Sequence, residues 1–199
     1  MKLDSNNYGK FTIFILILVG VSAGITYLVS VLLQSYGITV PWYIETPSVP
    51  AVYGTLFVFF DKYFWKFSIF KKLGIIVAEN LNGKWIGVVK SSYDAFATDI
   101  PATLQIKQTA TCIKICGIFD KSKSVSIHES FGKSDVDNKV ALFYFFRNEP
   151  QYDAASTMAM HEGSAKLTYD PNENTLVGYY YSGRDRNNHG TIKVKRIIP

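Results

Sequence analysis

The chain changes character at the stretch Leu81-Asn82-Gly83-Lys84-Trp85-Ile86-Gly87-Val88-Val89-Lys90. Before this stretch the sequence contains long apolar runs of the kind that form helices in lipid. After it, apolar and polar residues alternate with a period of two, which is typical of strands that bury one face. The sequence therefore predicts two domains, a transmembrane region over residues 1–75 and a cytosolic β domain over residues 76–199.

Composition and charge limit the class of protein. The 199 residues are 48% hydrophobic and 15% aromatic, which excludes a disordered or low-complexity chain. The formal net charge of +5 suits an acidic partner, such as anionic lipid or a phosphate-bearing ligand, without selecting one. Cys112 and Cys116 would lie roughly 13 Å apart on one strand, too far for a disulfide. We interpret them as buried, reduced thiols.

The first apolar run, Phe11–Leu33, contains no charged residue and as a helix would span roughly 30 Å. A secretory signal peptide is the alternative, but the run is too long for such a peptide and no small-x-small cleavage site follows it. We predict a transmembrane helix. Within it, Gly20 and Gly24 form a Gly-x-x-x-Gly step, which either lets helices approach closely or reflects the frequency of glycine in membrane helices.

A second apolar run, Val49–Phe70, is predicted to cross back through the membrane. The linker before it, residues 34–50, contains no Lys or Arg, whereas lysines crowd its far end at Lys62, Lys66, Lys71 and Lys72. Since Lys and Arg collect on cytoplasmic flanks, both termini are expected in the cytoplasm. Asp61 would lie near the middle of a full span, where an ionisable group is usually functional, or in the headgroup zone if the helix is shorter.

Turn-forming residues separate the alternating segments that follow. We predict eight strands, near residues 83–93, 102–109, 112–119, 124–131, 139–147, 163–170, 175–183 and 191–198. Their regular spacing without an intervening helix predicts a membrane-anchored all-β protein whose eight-stranded antiparallel β-barrel runs up and down, with a β-sandwich as the alternative. Such a barrel can hold one small ligand inside.

The first strand opens with Gly83-x-Trp85, which resembles the lipocalin-type signature. There the glycine lets the chain bend into the barrel and the tryptophan plugs its closed end. If the last strand pairs with the first, Arg196 would meet Trp85 at that end, with the guanidinium stacked on the indole. The alternative for Arg196 is a solvated strand end.

An up-and-down barrel places every second connection at the end opposite Trp85, which we call the mouth. The predicted ligand-binding residues there are Tyr93, Arg147, Arg184, Arg186 and His189, with Tyr144, Tyr180 and Ser182 facing the lumen below. Paired arginines would clamp phosphate oxygens and aromatic faces would stack a base, although a solvated polar rim is an equal alternative. The sequence has no catalytic motif or metal-ligand spacing, so we expect no enzymatic activity, no metal and no cofactor.

Two apolar helices, Phe11–Leu33 and Val49–Phe70, followed by a barrel over Leu81–Ile198, resemble the membrane effectors of CBASS, the cyclic-oligonucleotide antiphage signalling systems. The resemblance lies in the architecture of essentially the whole chain. It implies that the barrel binds a cyclic dinucleotide, made by a partner nucleotidyltransferase, and not a nucleic acid polymer. It also implies that binding drives oligomerisation in the bacterial inner membrane, membrane disruption and death of the infected cell.

Two other functions fit the same architecture. One is a membrane-tethered, lipocalin-like binding protein for a small apolar ligand. The other is a structural membrane anchor whose barrel is filled and binds nothing. Salt would separate cyclic-dinucleotide binding from apolar-ligand binding, because phosphate recognition weakens with ionic strength and apolar binding does not.

Overall fold

A computed structural model describes residues 5–76, 78–133, 139–154, 158–183 and 186–197. The chain divides into two compact units, a helical unit that spans Leu3–Val77 and a β unit that contains Ala78–Pro199. Each unit is described by itself below. The assignment of the first to the membrane and of the second to the cytosol stays a prediction.

The helical unit contains α1 (Ser5–Ser35), α2 (Trp42–Lys62), a 3₁₀ turn (Phe64–Lys66) and α3 (Ser68–Lys72). Among the described residues, one helical stretch, Gly9–Ser35, is long and apolar enough to cross a membrane. This stretch contains the whole of the first predicted span. The ring of Phe14 lies 4.4 Å from that of Phe60 and 5.9 Å from that of Phe70, so aromatic contacts hold the unit together.

The second helix differs from the prediction at both ends. It begins at Trp42 instead of Val49 and ends at Lys62 instead of Phe70, with Pro47 and Pro50 inside it. The prediction treated these prolines as part of the linker. Each proline removes the bond that its own N–H would make and crowds the carbonyl four residues earlier, and proline is more frequent in membrane helices than in soluble ones. Asp61 therefore lies in the last turn of α2, half-buried, and its depth in a membrane stays a prediction. The second crossing stays a prediction.

The β unit is a closed, antiparallel, up-and-down barrel in which each strand pairs with the next and the last pairs with the first. Its strands are β1 (Gly83–Ser91), β2 (Ile100–Gln108), β3 (Ile113–Phe119), β4 (Ser122–Lys133), β5 (Val140–Pro150), β6 (His161–Asp170), β7 (Thr175–Ser182) and β8 (His189–Arg196). The predicted eight-stranded barrel is confirmed, and the β-sandwich alternative is wrong. Alternation fixes the faces, because Ile192 and Val194 are buried while Lys193 and Lys195 are exposed.

Side chains fill the closed-end half of the barrel. Leu104, Leu167 and Leu176 are fully buried there and belong to one apolar cluster with Trp85. The interior of an eight-stranded barrel is either filled by side chains or holds one small ligand. In this half the described aliphatic side chains and Trp85 fill it.

The stack of Arg196 on Trp85 is confirmed. The two residues face each other in the β1–β8 register, and the guanidinium carbon lies 4.6 Å from the centre of the indole ring. Arg196 Nη2 also donates a hydrogen bond to the Asn80 carbonyl, and Trp85 Nε1 donates to the Leu81 carbonyl at 3.0 Å. Gly83, with φ of +130°, takes a backbone conformation that other residues rarely adopt. The lipocalin-like roles of the glycine and the tryptophan therefore fit this geometry.

Gln108 fastens the segment that enters the barrel across the closed end. Its side chain accepts a hydrogen bond from the Leu81 N–H at 2.7 Å and donates one to the Glu79 carbonyl at 2.9 Å. Asn82 adds a bond from its Nδ2 to the Gln108 carbonyl at 2.7 Å. Since Gln108 is buried, these bonds satisfy polar groups that would otherwise be costly there.

The β3–β4 pairing is short. It covers three residue pairs, ending at Cys116 and Val125, and a bulge in β4 follows between Ser126 and His128. Next to the last β3–β4 residue pair, the Ser126 hydroxyl accepts a hydrogen bond from the Ile115 N–H at 2.9 Å. A side-chain ion pair of 3.2 Å between Lys114 and Glu129 also spans the two strands. Side chains thus replace the ladder where the bulge interrupts it.

The cysteines are free thiols, but the prediction that both are buried is wrong. Cys112 is exposed and Cys116 is half-buried. Cys112 precedes β3 in the hairpin turn, where its backbone N–H bonds to the Thr109 hydroxyl, so its side chain does not follow the strand alternation.

Replacing Arg196 tests the closed end. We expect Arg196→Ala to lower the free energy of unfolding by about 2 kcal/mol, because it removes a cation–π contact and a charged hydrogen bond. The free energy of unfolding of Arg196→Lys should lie between those of the parent and of Arg196→Ala, since lysine keeps the charge but loses the planar face. The measurement is urea unfolding of the full chain in detergent, followed by tryptophan fluorescence. Lys195→Ala, an exposed change on the same strand, should stay within about 0.5 kcal/mol; an equal loss there would contradict the role of the stack.

Candidate ligand-binding site

The mouth of the barrel carries a layer of small polar side chains that face inward. Its members, all buried, are Ser91, Ser122, Ser124, Ser126 and Asn148. The connection between β5 and β6 packs close to it, because Asn148 Nδ2 lies 3.7 Å from the sulfur of Met158. Sequence reasoning missed this layer, although a serine at every second position of β4 was a visible pattern.

A cavity of about 620 Å³ opens at the mouth where β5, β6 and β7 end. It is within the range of small-molecule sites. Its lining includes the outward-facing Phe145, Ser164 and Tyr181, the inward-facing Phe146 and Ser182, and the rim residues Arg147, His161, Glu162 and Arg186. At β6 the cavity is lined by the small residues Gly163 and Ser164, whose side chains take up little space. A side chain at Gly163 would collide with the ring of Phe146.

The cationic side of the cavity is formed by Arg186 and His161. Arg186 Nη1 lies 3.4 Å from Nδ1 of His161, and that same nitrogen lies 3.1 Å from the Ala159 carbonyl. Burial, followed by the nearby Arg186 charge, lowers the pKa of His161 from its ordinary value. The imidazole is therefore mostly neutral at neutral pH, while the guanidinium stays charged. An anion beside this pair would meet one fixed charge and a second that becomes available by protonation.

Arg147 lies on the outer face of β5. Its Nη2 forms a 3.0 Å ion pair with Glu162 of β6, and both side chains are more than half exposed. Such exposed pairs contribute little to stability, so the guanidinium can exchange its partner at small cost. Arg147 therefore lines the cavity from the outer face of the barrel wall.

The structure brings together three of the predicted ligand-binding residues, Arg147, Ser182 and Arg186, at this cavity. Tyr144 and Tyr180 do face inward, but they lie in or against the packed core. Tyr144 is only 5% exposed, and burial raises the pKa of its hydroxyl. A ligand would have to displace core side chains to reach it.

The remaining predicted residues lie elsewhere. Tyr93 is 79% exposed in a short 3₁₀ turn after β1 and does not line the cavity. His189 faces outward at the start of β8, with its ring 5.7 Å from Phe96 and 6.4 Å from Tyr181. Arg184 lies outside the described residues. The role of each of these residues in binding stays a prediction.

An eight-stranded barrel with a basic and aromatic cavity at its mouth, joined to an apolar N-terminal helix, defines a small-ligand receptor domain. Residues 77–196 match the family described as "Cap15, cyclic dinucleotide receptor domain", and the chain belongs to that family. The resemblance to CBASS effectors is thereby confirmed. The family is described as a receptor, which supports the expectation that the barrel binds a ligand.

Two curated relatives carry the same name. The chain is 27% identical over 150 residues to "CD-NTase-associated protein 15" of Yersinia aleksiciae, covering 75% of this chain and 70% of that protein. It is 24% identical over 144 residues to "CD-NTase-associated protein 15" of Escherichia albertii, covering 70% of this chain and 73% of that protein. The similarity thus extends over most of both proteins.

The lowered pKa of His161 generates a pH prediction. A phosphate beside His161 and Arg186 favours the imidazolium, so the pKa of His161 should be higher in the complex than in the free protein. Affinity is then greatest below the free-state pKa and falls as pH rises through the bound-state pKa. Calorimetry of the full chain in detergent, between about pH 5 and pH 8, with whichever of cyclic di-AMP, cyclic di-GMP and cyclic GMP–AMP binds, should show this fall and proton uptake on binding. His161→Gln should remove both, and an unchanged pH profile in that variant would place the protonation elsewhere.

Proposed function

We propose that this protein is an antiviral effector whose barrel binds a cyclic dinucleotide at the mouth cavity. The observation that carries the proposal is the combination of Arg186 and His161 with the aromatic side chains of Phe145 and Tyr181 around one cavity. A cyclic dinucleotide presents two phosphates and two flat bases, and these groups are what such a lining recognises. Membership of a cyclic-dinucleotide receptor family supports the same ligand class.

An apolar ligand is the less favourable occupant. Such a ligand would have to lie inside the barrel, where Leu104, Leu167 and Leu176 are already fully packed. At the cavity it would desolvate Arg186 without giving that charge a partner, which is costly. The lipocalin-like function is therefore not the one that we propose.

The output of the effector would come from the helical unit. Gly20 and Gly24 lie on an exposed face of α1, and a Cβ added at either meets nothing within 4 Å. Ser22 and Thr26 are buried on another face of the same helix. The glycine face is therefore open to a second copy of the chain, and small residues are what allow close helix packing in lipid.

We further propose that ligand binding favours this oligomer in the bacterial inner membrane and that assembly disrupts the membrane, causing abortive infection. Binding can shift the equilibrium only if the assembled state holds the ligand more tightly than the separate chains do. A partner nucleotidyltransferase would supply the ligand. The lysines that follow α2, together with the lysine-free linker before it, support a multi-pass topology with barrel and both termini in the cytoplasm.

The function is tested first by binding. Full-length protein in detergent should bind at least one of cyclic di-AMP, cyclic di-GMP and cyclic GMP–AMP in calorimetry, more weakly as salt rises. Arg184→Ala with Arg186→Ala should weaken that binding at least about tenfold by removing phosphate partners. Lys193→Ala with Lys195→Ala removes the same charge from another wall and should leave affinity nearly unchanged. Equal losses in both pairs would mean that general charge, and not this rim, attracts the ligand.

The output is tested in the helix. Gly20→Leu with Gly24→Leu keeps α1 apolar, so insertion and ligand affinity should persist while close helix approach and toxicity are reduced. Growth of cells that make both the protein and its ligand is the measurement. Val21→Leu with Ile25→Leu, on a neighbouring face, is the matched control. Membrane fractionation and a C-terminal phosphatase fusion, inactive if that end is cytoplasmic, check insertion and topology. Full toxicity from a correctly inserted glycine variant would contradict the proposed interface.

A further inference from the structure

The outer wall of the barrel carries two parallel rows of side chains that cross β5, β6 and β7. In each row an aromatic residue of β5 and one of β7 stand on either side of a β6 residue. The register defines the row nearer the mouth as Phe145–Ser164–Tyr181 and the next row as Phe143–Lys166–Tyr179. All four aromatic side chains are partly exposed, with relative exposures from 39% to 59%. The chain thus contains two versions of one arrangement that differ mainly in the residue between the rings.

The row farther from the mouth is occupied by its own lysine. Lys166 Nζ lies 5.4 Å from the centre of the Phe143 ring, a cation–π contact that takes up the aromatic face. In the row nearer the mouth the central residue is Ser164, whose side chain is too short to cover either ring. Phe145, Ser164 and Tyr181 all line the mouth cavity, whereas Phe143, Lys166 and Tyr179 do not. The row that is left open is therefore the one that borders the cavity.

The spacing between the two open rings suits one planar group. Phe145 and Tyr181 stand on strands two apart, so their backbones are separated by roughly 10 Å. When one ring is stacked between two others, the planes of the two outer rings are about 7–8 Å apart, since carbon atoms pack at about 3.5–4 Å. One heterocycle fits without movement of the backbone, and offset or tilted rings would still hold it.

Charge lies at the mouth end of this open row. Arg186 and His161 line the same cavity, and Arg147, on the same outer face as Phe145, is two residues farther along β5. A group with a flat base and an attached phosphate would therefore meet both kinds of partner at once. The described interior near the closed end offers no free pairing of this kind, because Arg196 is already stacked on Trp85 and the side chains around them are packed.

We propose that Phe145 and Tyr181 form a slot on the outer wall that stacks one nucleobase of the ligand above Ser164, while the adjoining phosphate lies at Arg186. The inference rests on the proposed function and specifies where the base lies. The ligand then lies across the β6 edge of the mouth, with one base outside the barrel. The Lys166 row is the closed counterpart of this slot and binds no base.

The test uses full-length protein in detergent and cyclic dinucleotides in which one base is replaced by 2-aminopurine, whose fluorescence is quenched on stacking. Phe145→Leu with Tyr181→Leu removes the stacking faces, and Ser164→Met fills the slot with a neutral chain similar in length to the lysine stem. Phe143→Leu is the control in the closed row, and Tyr179 is left in place because its ring lies 5.6 Å from that of Tyr181. Ser164→Ala is the control that keeps the slot open. All these side chains face outward, and thermal melting checks that each variant is folded.

We expect roughly tenfold weaker binding and loss of quenching in the Phe145/Tyr181 and Ser164→Met variants, with both controls close to the parent. Unchanged affinity and quenching in the slot variants, with binding by the parent intact, would overturn the slot and leave the proposed function standing. Equal loss in the Phe145/Tyr181 variant and in Phe143→Leu would also overturn it, because the effect would not depend on the open row. Failure of the parent protein to bind any tested cyclic dinucleotide would overturn the proposed function itself.

Discussion

The β unit depends on the contact that closes it, the stacking of Arg196 on Trp85 between the last strand and the first. A guanidinium at the end of a packed core would be costly without partners, and the indole face with the Asn80 carbonyl supplies them. Gln108 then holds the entering segment over the same end. Because closure leaves no unpaired edge strand, the register of every strand and the identity of its inner face are fixed together.

Closure also decides where a ligand can lie. Aliphatic side chains and Trp85 occupy the closed half of this barrel, so the site that we propose lies at the mouth. There the cavity is lined by inward-facing and outward-facing residues, including the small Gly163 and Ser164 of β6. The charged groups Arg186 and His161 lie at the rim, where water can still solvate them when no ligand is bound. A rim site avoids the burial cost that the same charges would have in the lumen.

A site at the rim is also a natural place from which to report ligand binding. A ligand held astride the wall alters the surface that the barrel presents, whereas one sealed in the core would not. In the proposed effector, ligand and assembly are coupled only through this kind of difference in contacts between states. In this proposal the exposed Gly20–Gly24 face of α1 would provide the corresponding contact in the helical unit.

The sequence by itself determined the apolar first helix, the eight strands and the meeting of Trp85 with Arg196. These features follow from length, from alternation with a period of two and from turn residues, all of which are local properties. It did not determine the ends of α2, because the cost of Pro47 and Pro50 depends on packing that the sequence does not reveal. Nor did it show that Tyr144 would be enclosed by the core or that Arg147 would pair with Glu162 outside the barrel. Only the tertiary structure aligned Phe145, Ser164 and Tyr181 across three strands, since register is set by hairpins and bulges that join residues distant in sequence.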